Sequence, residues 1–594
     1  MSLSLSLNNA LSGLRAAQNS LAVISSNVSN AKTAGYTKKV QPQTNVAYPG
    51  QGGAGVVSQT VYRQTDELMR REIRKETSTE GRTATENAFL KQVQTMFGKT
   101  ENGGRLGSAI TSFNNALNAL STTPESASAQ LSAVAEAKAL ATTMNDMAQQ
   151  VRDLRIDGAR KVGEAVTEVN TNLQQVQELN RQITRAYALG QPTGDLEDVR
   201  DMALSKIAEN MDIQTFRRDT GEMVVFTKAG RILVDGNAVQ LSYSTPNTLN
   251  TADNIPSISI NGQTQIDIKS EFRDGKIAGL ITSVDSTLKG VANQLNQLAE
   301  SLYGNSARTT GVVDQAQIGP PSYPFGRLAT TPNNNSGTVT SPTYIDITST
   351  GTNLQLGTDF AIGDTLTFGA GNTVRITAVD TNAASGTIRL KVTPVSGGFV
   401  VNNTTPQTIT QRNGAAYAGQ PAKITGLDDG FRLFANVDIT HYTSTTGAYE
   451  FRDAAASISL HAGLDPSKGG NAGLLALAND PFTKNLAKTL SDTFTAVQAI
   501  GQNIGGVSSG SYSYASYAKS MVSQNAIVAS KTKADSDFQS EFVRSLQSQA
   551  AELEGVNVDE EMANLVTYQN AYSASARVVT TINQMFDTLL GIGA

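Results

Sequence analysis

The sequence predicts a multi-domain α+β protein with N- and C-terminal helices paired in a coiled-coil-like stalk, a helical body, and an inserted all-β outer domain. Three observations support this prediction. Apolar residues at both ends recur at intervals of three and four, the heptad spacing of helices that pack along a partner. The central segments keep a helical period over long stretches. Residues 305–475 instead show short alternating runs in a background rich in Thr, Asn, Gly and Ser.

The last helix is expected to begin near Asp559 and to run without Gly or Pro to Leu590. Acidic residues at its start suit the helix dipole, and Asn557 with Glu560 suits a variant of the capping box. A helix of about 30 residues is about 45 Å long, so its apolar face needs a partner. That face, the C-terminal seam, consists of Leu565, Tyr572, Val579, Ile582, Phe586 and Leu589.

The predicted partner lies at the other end of the chain. There the same three-four spacing defines an N-terminal seam, which consists of Leu7, Leu14, Leu21, Ile24 and Val28. Two helices with matched apolar faces favour one paired stalk. Gly13 weakens the first helix and Ser575 breaks the register of the last one. We therefore expect a terminal helical domain of residues 1–65 and 550–594.

A helical body is expected from residues 66–304 together with 476–549, with a small β segment at about 213–270. Its β segment includes a predicted hairpin on either side of Gly230 and a turn at Asn261-Gly262. The apolar period predicts helices over 66–97, 106–155 with a break at 121–124, 162–189, 196–211 and 275–303.

Residues 305–475 are expected to form the inserted all-β outer domain, a sandwich or a small barrel. Alternating runs predict strands at 344–348, 365–368, 373–379, 387–392, 431–437 and 457–460. Because the order is helix, β, helix, both termini should lie in one helical stalk while the middle points away from it. Helix then resumes from Asn471, is interrupted over 501–510, and leads into the terminal heptads.

Basic residues alternate with acidic ones at the start of the second predicted helix, where Arg70, Arg71, Arg74 and Lys75 are interspersed with glutamates. A contact between subunits and a solvated helix face with i,i+4 ion pairs both explain this pattern. We favour the solvated face, because such pairs are common on exposed helices.

Several kinds of functional site are excluded because the sequence lacks the residues that they need. The chain has no Cys, which excludes a thiol nucleophile, a disulfide and a Cys-ligated metal. The two histidines are not at metal-binding spacing, and no P-loop, nucleophile elbow or dinucleotide fingerprint occurs. The net charge of −5 suggests no nucleic-acid partner, and no run is long enough to span a membrane. We expect no enzyme, no catalytic residue, no metal and no cofactor.

Two terminal motifs resemble those of the bacterial flagellar axial proteins, the rod, hook and hook-associated family. The N-terminal signature is carried by Asn27, Asn30, Gly35 and Tyr36, with Ala34 where most of the family has Pro. The C-terminal motifs are Val-Asn-Val-Asp-Glu-Glu at 556–561, Tyr-Gln-Asn-Ala-Tyr at 568–572 and Asn-Gln-Met-Phe at 583–586. The Asp-Glu-Glu sequence at 559–561 resembles the form found in the branch of the family that joins hook to filament.

This resemblance implies a structural protein of the flagellum, an adapter between hook and filament that filament assembly requires. The implied partners are copies of the chain itself in a helical or ring assembly, the hook protein, a second junction protein adjoining the filament, and an export chaperone at the C-terminal region. The implied location is extracellular, at the hook–filament junction, reached by export without a cleaved signal peptide. The first residues indeed lack a basic region and a long apolar core. A secreted type III translocator or adhesin, with coiled-coil ends and a β binding domain, remains the alternative.

Overall fold

In the computed structural model the two ends of the chain meet. The residues described are 3–45, 55–98, 103–262, 266–303, 336–339, 343–349, 364–368, 372–380, 387–395, 399–402, 409–412, 415–416, 422–428, 433–435, 441–443, 449–451, 453–462, 464–475, 491–492, 494–496, 498–500 and 503–592. Helix α1 (Leu3–Asn30) packs along the last helix, α10 (Val558–Ile592). Asn27 bonds Glu561 while Gly13 lies against Ser575, so the two helices run antiparallel.

The helical body is built on a second antiparallel pair and one very long helix. Helix α2 (Glu67–Phe97) packs along α9 (Tyr514–Glu554), with Gln539 bonding Glu76 and Glu554 bonding Arg70. The remaining helices are α3 (Gly104–Thr122), α4 (Ala127–Ala188), α5 (Gly194–Asn210), α6 (Lys276–Thr282) and α7 (Lys289–Tyr303). Most of the large buried core joins these helices, from Phe89 and Leu106 to Met521.

Helix α4 corrects one prediction. The sequence suggested separate helices over 106–155 and 162–189, but α4 continues through residues 155–162 without a break. Gly158 lies in this stretch and Gly163 just after it, and glycine lowers the local helix propensity. A Cβ atom at Gly158 would lie 2.4 Å from Cγ2 of Val284, so this glycine allows α4 to approach the body closely. The break predicted near Pro124 is confirmed, since α3 ends at Thr122 and Ser126 caps α4.

A π-helical turn over Ser283–Leu288 joins α6 to α7, so that the helix predicted over 275–303 is continuous. Arg155 of α4 donates from Nε to the carbonyl oxygen of Val284 inside this turn, at 3.1 Å. The same guanidinium reaches the carbonyl oxygens of Asn250 at 2.7 Å, of Thr251 at 3.4 Å and of Asp253. One buried side chain thus connects α4, the π-helical turn and the loop before it.

Small sheets pack beside the helices. The first strands are β1 (Lys39–Val40), β2 (Gln43–Asn45), β3 (Val56–Ser58) and β4 (Tyr62–Arg63), paired β1 with β4 and β2 with β3. A four-stranded antiparallel sheet follows with β5 (Ile213–Arg217), β6 (Met223–Thr227), β7 (Ile232–Asp235) and β8 (Asn237–Ala238). Strands β9 (Leu241–Tyr243) and β10 (Ile258–Ile260) form a further pair. The predicted hairpin and turn are confirmed, with φ of +89° at Gly230 and φ of +50° and +72° at Asn261 and Gly262.

The described strands between residues 336 and 428 form a seven-stranded antiparallel sheet in the order β18-β17-β13-β14-β15-β12-β19, and a separate pair, β11 with β16. Four predicted strands coincide with β12 to β15. The strands are β11 (Ser336–Val339), β12 (Thr343–Ser349), β13 (Thr365–Phe368), β14 (Asn372–Asp380), β15 (Thr387–Pro394), β16 (Phe399–Asn402), β17 (Ile409–Arg412), β18 (Ala415–Ala416) and β19 (Ala422–Asp428).

The predicted end of the insert at residue 475 is wrong. Phe434, Ile458 and Leu464 are fully buried in the core of the helical body, and the Phe434 ring lies edge-on to Phe113 of α3 with centroids 6.3 Å apart. Lys138 of α4 bonds Asp465 at 2.9 Å. The elements here are β20 (Phe434–Ala435), β21 (His441–Thr443), β22 (Tyr449–Phe451), α8 (Ala454–Ser457) and β23 (Ser459–Leu460), and β24 (Gln498–Ile500) pairs with β25 (Gly510–Tyr512) further on. Alternation predicted β20 and β23 but not the other strands, and it carried no information about what these strands pack against.

Candidate assembly site at the terminal helix pair

The two seams lie on the helices that pack together, α1 and α10. Ile24 and Ile582 are buried, each about one-twentieth exposed. Tyr572 is exposed at 37%, so a single chain does not cover it. The other seam residues are half-buried, namely Leu7, Leu14, Leu21, Val28, Leu565, Val579 and Phe586. The side chain of Leu589 lies outside the described residues. Within a single chain, the packing of α1 against α10 therefore leaves most seam residues partly exposed to solvent.

The two irregular positions of the seams face each other. A Cβ atom at Gly13 would lie 3.3 Å from Oγ of Ser575. The glycine therefore leaves room for a polar side chain where both helices depart from the apolar pattern. Each irregularity was visible in the sequence, but their pairing follows only from the antiparallel register.

Helix α10 also carries apolar side chains on both flanks of the surface that α1 covers. Val558, Met562 and Val566 are exposed on one flank, and Val578 and Met585 on the other. Isolated apolar side chains on a surface are normal, but a row of them along one helix marks a surface that a partner can cover. The pair of α1 and α10 thus offers two further apolar edges.

The signature residue Asn27 is a buried hydrogen-bonding centre at the base of the pair. Its Nδ2 donates to the carbonyl oxygen of Lys39 at 2.9 Å and to Oε2 of Glu561 at 3.0 Å. Its Oδ1 accepts from the hydroxyl of Tyr36 at 2.9 Å and from the backbone N–H of Lys39 at 3.1 Å. All the hydrogen-bonding capacity of this amide is used. Asn27 therefore ties α1, the turn after it and the start of α10 together.

The other signature residues shape the turn after α1. Gly35 has φ of +79°, a left-handed conformation that favours glycine, and it lies against the flexible side chain of Met202 in α5. Asn30 donates to the carbonyl oxygen of Ser26 at 3.0 Å and accepts from the hydroxyl of Thr33 at 3.2 Å. The turn forms with Ala34 in place of proline.

The start of α10 confirms an N-cap at Asn557 but differs from a capping box. Oδ1 of Asn557 accepts from the backbone N–H groups of Asp559 at 3.0 Å and Glu560 at 3.4 Å. The Glu560 carboxylate instead pairs with Lys38 at 2.9 Å, and Lys38 also lies 3.4 Å from Glu561. The acidic first turn therefore binds the segment that follows α1.

Below this base lies a buried cluster of charges that the sequence analysis missed. Arg63 bonds Asp201 at 2.7 Å and Glu197 at 2.8 Å, both in α5. Arg70 bonds Asp201 and Glu554, each at 2.5 Å. Burial alone would raise the pKa of the Asp201 carboxyl, but Arg63 and Arg70 outweigh burial and hold that pKa below its usual range.

A second part of the cluster centres on Asp198. Its carboxylate accepts from the backbone N–H of Thr37 at 3.2 Å, from the Thr37 hydroxyl at 2.7 Å, and from Lys39. The Lys39 ammonium also lies 3.6 Å from the centre of the Tyr36 ring, within range of a cation–π contact. The signature turn is thus bound to α5 through charge-assisted hydrogen bonds.

The preferred interpretation of the basic residues in α2, a solvated face, is wrong for Arg70 and Arg74. Arg70 lies in the cluster, and Arg74 is buried, with bonds to Glu67 at 2.9 Å and Thr215 at 3.2 Å. Lys75 fits the prediction, pairing with Glu72 and Glu76 on an exposed surface, and Arg71 is exposed as well. The signal available in the sequence was the acidic start of α5, where three carboxylates occupy buried helical positions within five residues. Burial of acids on that scale requires cationic partners.

Neither a metal site nor a membrane-spanning helix is found in the part of the chain that the structure describes. Among those residues no group of His, Asp or Glu is arranged to hold a metal ion. No described helix has both the length and the apolar character needed to cross a membrane.

Three family models match the chain. "Flagella basal body rod protein" matches residues 7–37, "Flagellar hook-associated protein FlgK helical domain" matches 90–317, and "Flagellar basal body rod FlgEFG protein C-terminal" matches 547–592. The two terminal matches contain α1 with its signature turn and α10. Both ends of the chain are thus similar to bacterial flagellar axial proteins, which indicates a structural component of the flagellum and not an enzyme.

Comparison with individual proteins gives a more specific resemblance than the family models do. Flagellar hook-associated protein 1 of Escherichia coli strain K12 is 26% identical over 99% of both chains, and that of Salmonella typhimurium is 24% identical over 99% of both. The Bacillus subtilis protein of the same name is 27% identical over 48% of this chain and 62% of its own. The solved flagellar hook junction protein FlgK from Burkholderia pseudomallei covers 81% of this chain and 99% of its own, at 15% identity and a TM-score of 0.45. The chain is thus similar over its whole length to flagellar hook-associated protein 1.

Proposed function

We propose that this chain joins hook to filament as an adapter, and that the terminal pair of α1 and α10 is the part that assembles. The relatives that span the whole chain are structural components of flagella, which supports this role over that of an adhesin. The adapter is needed for filament assembly and hence for motility.

The observation that carries the proposal is the exposed apolar surface of α10. Val558, Met562 and Val566 on one flank and Met585 on the other are 42–53% exposed within the described chain. In a tube of parallel subunits, each copy places such flanks against its neighbours, and burial contributes about 25 cal/mol per Å² of apolar surface. Since hook and filament lie on opposite sides of the adapter, the contacts are heterologous.

We propose that the two seams form a coiled-coil-like stalk, in which Leu21, Ile24 and Ile582 fill the interface within a chain. Tyr572 and Phe586, which a single chain leaves partly exposed, then contact neighbouring copies. The signature residues Asn27, Asn30, Gly35 and Tyr36 fix the base of the stalk instead of contacting other subunits. This assignment follows from their hydrogen bonds within the chain.

The remaining domains are assigned by what they pack against. Residues 1–65 with 550–594 form the axial core, and 66–304 with 433–549 form the body. Residues 336–428 form the outer domain, directed away from the axis. The partners are copies of the chain, the hook protein, a second junction protein next to the filament, and an export chaperone at the C-terminal region. The chain acts outside the cell, at the hook–filament junction, after export without a cleaved signal peptide.

A deletion strain tests the function. Cells without this chain should build hooks, release flagellin into the medium and fail to swim, because retention of flagellin needs the adapter while its export does not. The full chain should restore filaments, and a chain that ends at Asn557 should not, since it lacks α10. Electron microscopy and an immunoblot of the medium give the readout. Long filaments on the deletion strain would contradict the adapter role.

A further inference from the structure

The exposed apolar side chains of α10 form two patches, which lie on opposite flanks and in opposite halves of the helix. The first patch consists of Val558, Met562 and Val566, and the second of Val578 and Met585. At 3.6 residues per turn, each patch lies roughly a quarter turn to one side of the surface that packs against α1. The first patch occupies the N-terminal half of α10, and the second patch occupies the C-terminal half. The two patches are therefore placed diagonally across the helix.

The remainder of each flank is polar. Facing away from the first patch, the opposite flank of the N-terminal half carries exposed Glu560 and Thr567. In the C-terminal half, the flank that continues from the first patch carries exposed Thr580, Gln584 and Asp587. A parallel neighbour at the same level would therefore place apolar side chains against carboxylates and other polar groups. Such a contact removes water from polar groups without giving them partners, which is unfavourable.

A neighbour that is shifted along the helix axis avoids this mismatch. Val558 and Val578 are 20 positions apart in the sequence, and Val566 and Met585 are 19 positions apart. A shift of that size brings Val558 of one copy level with Val578 of the next copy, and Val566 level with Met585. At 1.5 Å per residue the shift is about 30 Å. One axial shift therefore matches both ends of the two patches.

The charges on α10 favour the same shift. Asp559 and Arg577 are exposed and lie 18 positions apart, which corresponds to five whole turns. Both therefore lie on the face of α10 that is turned away from α1, beside the patches. The shift brings Asp559 of one copy to within two residues of the level of Arg577 of the next copy. Within one chain the two residues are about 27 Å apart along the helix, so this pair can form only between copies.

We propose that α10 binds a second copy of this chain in a staggered register, in which the first patch of one copy covers the second patch of the next copy. This contact rests on the proposed function, since it sets how neighbouring copies align in the assembly. It is heterologous, because the two patches are different surfaces. Each copy therefore contacts one neighbour through its first patch and another neighbour through its second patch.

Disulfide cross-linking in assembled flagella tests the register. The chain has no cysteine, so two introduced cysteines report on one contact. The matched pairs are Val558→Cys with Val578→Cys, and Val566→Cys with Met585→Cys. The control pairs are Val558→Cys with Met585→Cys, and Val566→Cys with Val578→Cys, which use the same four positions about 10 Å out of level. A disulfide requires Cα atoms roughly 4.4–6.8 Å apart, so this offset separates the two sets.

Each variant is expressed in the deletion strain, and its isolated flagella are oxidised and analysed by immunoblot without reductant. Both matched pairs should convert the monomer band into dimers and a ladder of larger multiples, because each copy contacts two others. The control pairs and the four single-cysteine variants should remain monomeric. Copies with only Val566→Cys, expressed together with copies with only Met585→Cys, should stop at dimers.

Exchange of charges gives a second readout that needs no cysteine. Asp559→Arg and Arg577→Asp should each lower the amount of chain in isolated flagella several-fold, because like charges then meet across the contact. The double exchange should restore that amount, since opposite charges meet again. The control combines Arg577→Asp with Asp587→Arg, and it should not restore assembly because exposed Asp587 lies at a different level.

Equal cross-linking of the control pairs and the matched pairs would overturn the proposal. A monomer band from the matched pairs, in flagella with normal filaments, would overturn it as well. Dimers from a single-cysteine variant would show a symmetric contact instead. If the cysteine variants do not assemble, failure of the double charge exchange to restore assembly decides against the register. None of these results would affect the adapter role, which the deletion strain tests separately, and long filaments on that strain would refute the adapter role itself.

Discussion

Arg155 offers the sharpest test of how the helical body is held together. Its side chain is 1% exposed and donates to backbone carbonyl oxygens in the π-helical turn and in the loop 250–253. The substitution Arg155→Met keeps a long apolar stem and removes every N–H donor. The carbonyl oxygens of Val284, Asn250 and Asp253 then lose this donor in a buried place.

The size of the effect follows from those bonds. Each buried acceptor left without a partner costs about 1–3 kcal/mol, and relaxation of the loop recovers part of this. We expect a loss of about 3–5 kcal/mol in the free energy of unfolding, a large part of the 5–15 kcal/mol typical of a domain. The control is Arg160→Met in the same helix, whose side chain is 54% exposed and pairs with Asp157 and Glu164. Exposed pairs of this kind contribute little to stability because solvent screens them.

Urea unfolding followed by circular dichroism gives the stability, and hydrogen exchange gives the location. Amides of 250–260 and 283–290 should exchange faster in Arg155→Met, because the loop and the π-helical turn lose their common anchor. Arg155→Lys should fall between, since an ammonium cannot reach three separate carbonyl oxygens with the geometry of a guanidinium. Equal stability and equal exchange for Arg155→Met and Arg160→Met would refute this reasoning.

Three further predictions concern the terminal pair, the core and the insert. Ile582→Asp places a charge in the buried interface of α1 and α10 and should increase protease cleavage of both termini. The control Met585→Asp, at a position 48% exposed, should leave protease cleavage of the unassembled protein unchanged. Equal cleavage of the two variants would contradict the pairing of α1 with α10. Hydrogen bonds from Ser467 and the nearby Lys138 lower the pKa of Asp465 to about 2. Because the pKa in the unfolded chain is about 3.9, this carboxylate stabilises the folded state above that pH, and its contribution should be lost as pH falls from about 4 to about 2. Asp465→Asn should abolish this part of the pH dependence of the unfolding free energy. Replacing 336–428 by a short Gly/Ser linker should leave the melting temperature of the helical body unchanged. Replacing 306–474 should lower that temperature sharply, because core residues such as Phe434 and Leu464 are removed. Equal melting temperatures for the two variants would show that the residues after 428 do not belong to the body.

The sequence by itself determined the features that depend on neighbours along the chain. Helical period located α1 and α10, and alternation located β12 to β15, because each element shows on its own residues which face is apolar. Turn chemistry located Gly230 and Asn261-Gly262, since positive φ favours these residue types locally. The motifs at the two ends indicated the flagellar axial family, and the family models confirm it.

Only the tertiary structure decided which distant groups meet. Arg70 and Glu554 are 484 positions apart, and nothing local distinguishes a buried arginine from a solvated one on a charged helix. Gly13 and Ser575 each appeared as a flaw in a pattern, and the antiparallel register makes them partners. Phe434 and Leu464 lie after a long β segment, yet they return to the core of the helices. A repeating pattern shows that a surface is covered, but the covering residues are fixed by packing across the whole chain, because burial and charge pairing act through space and not along the sequence.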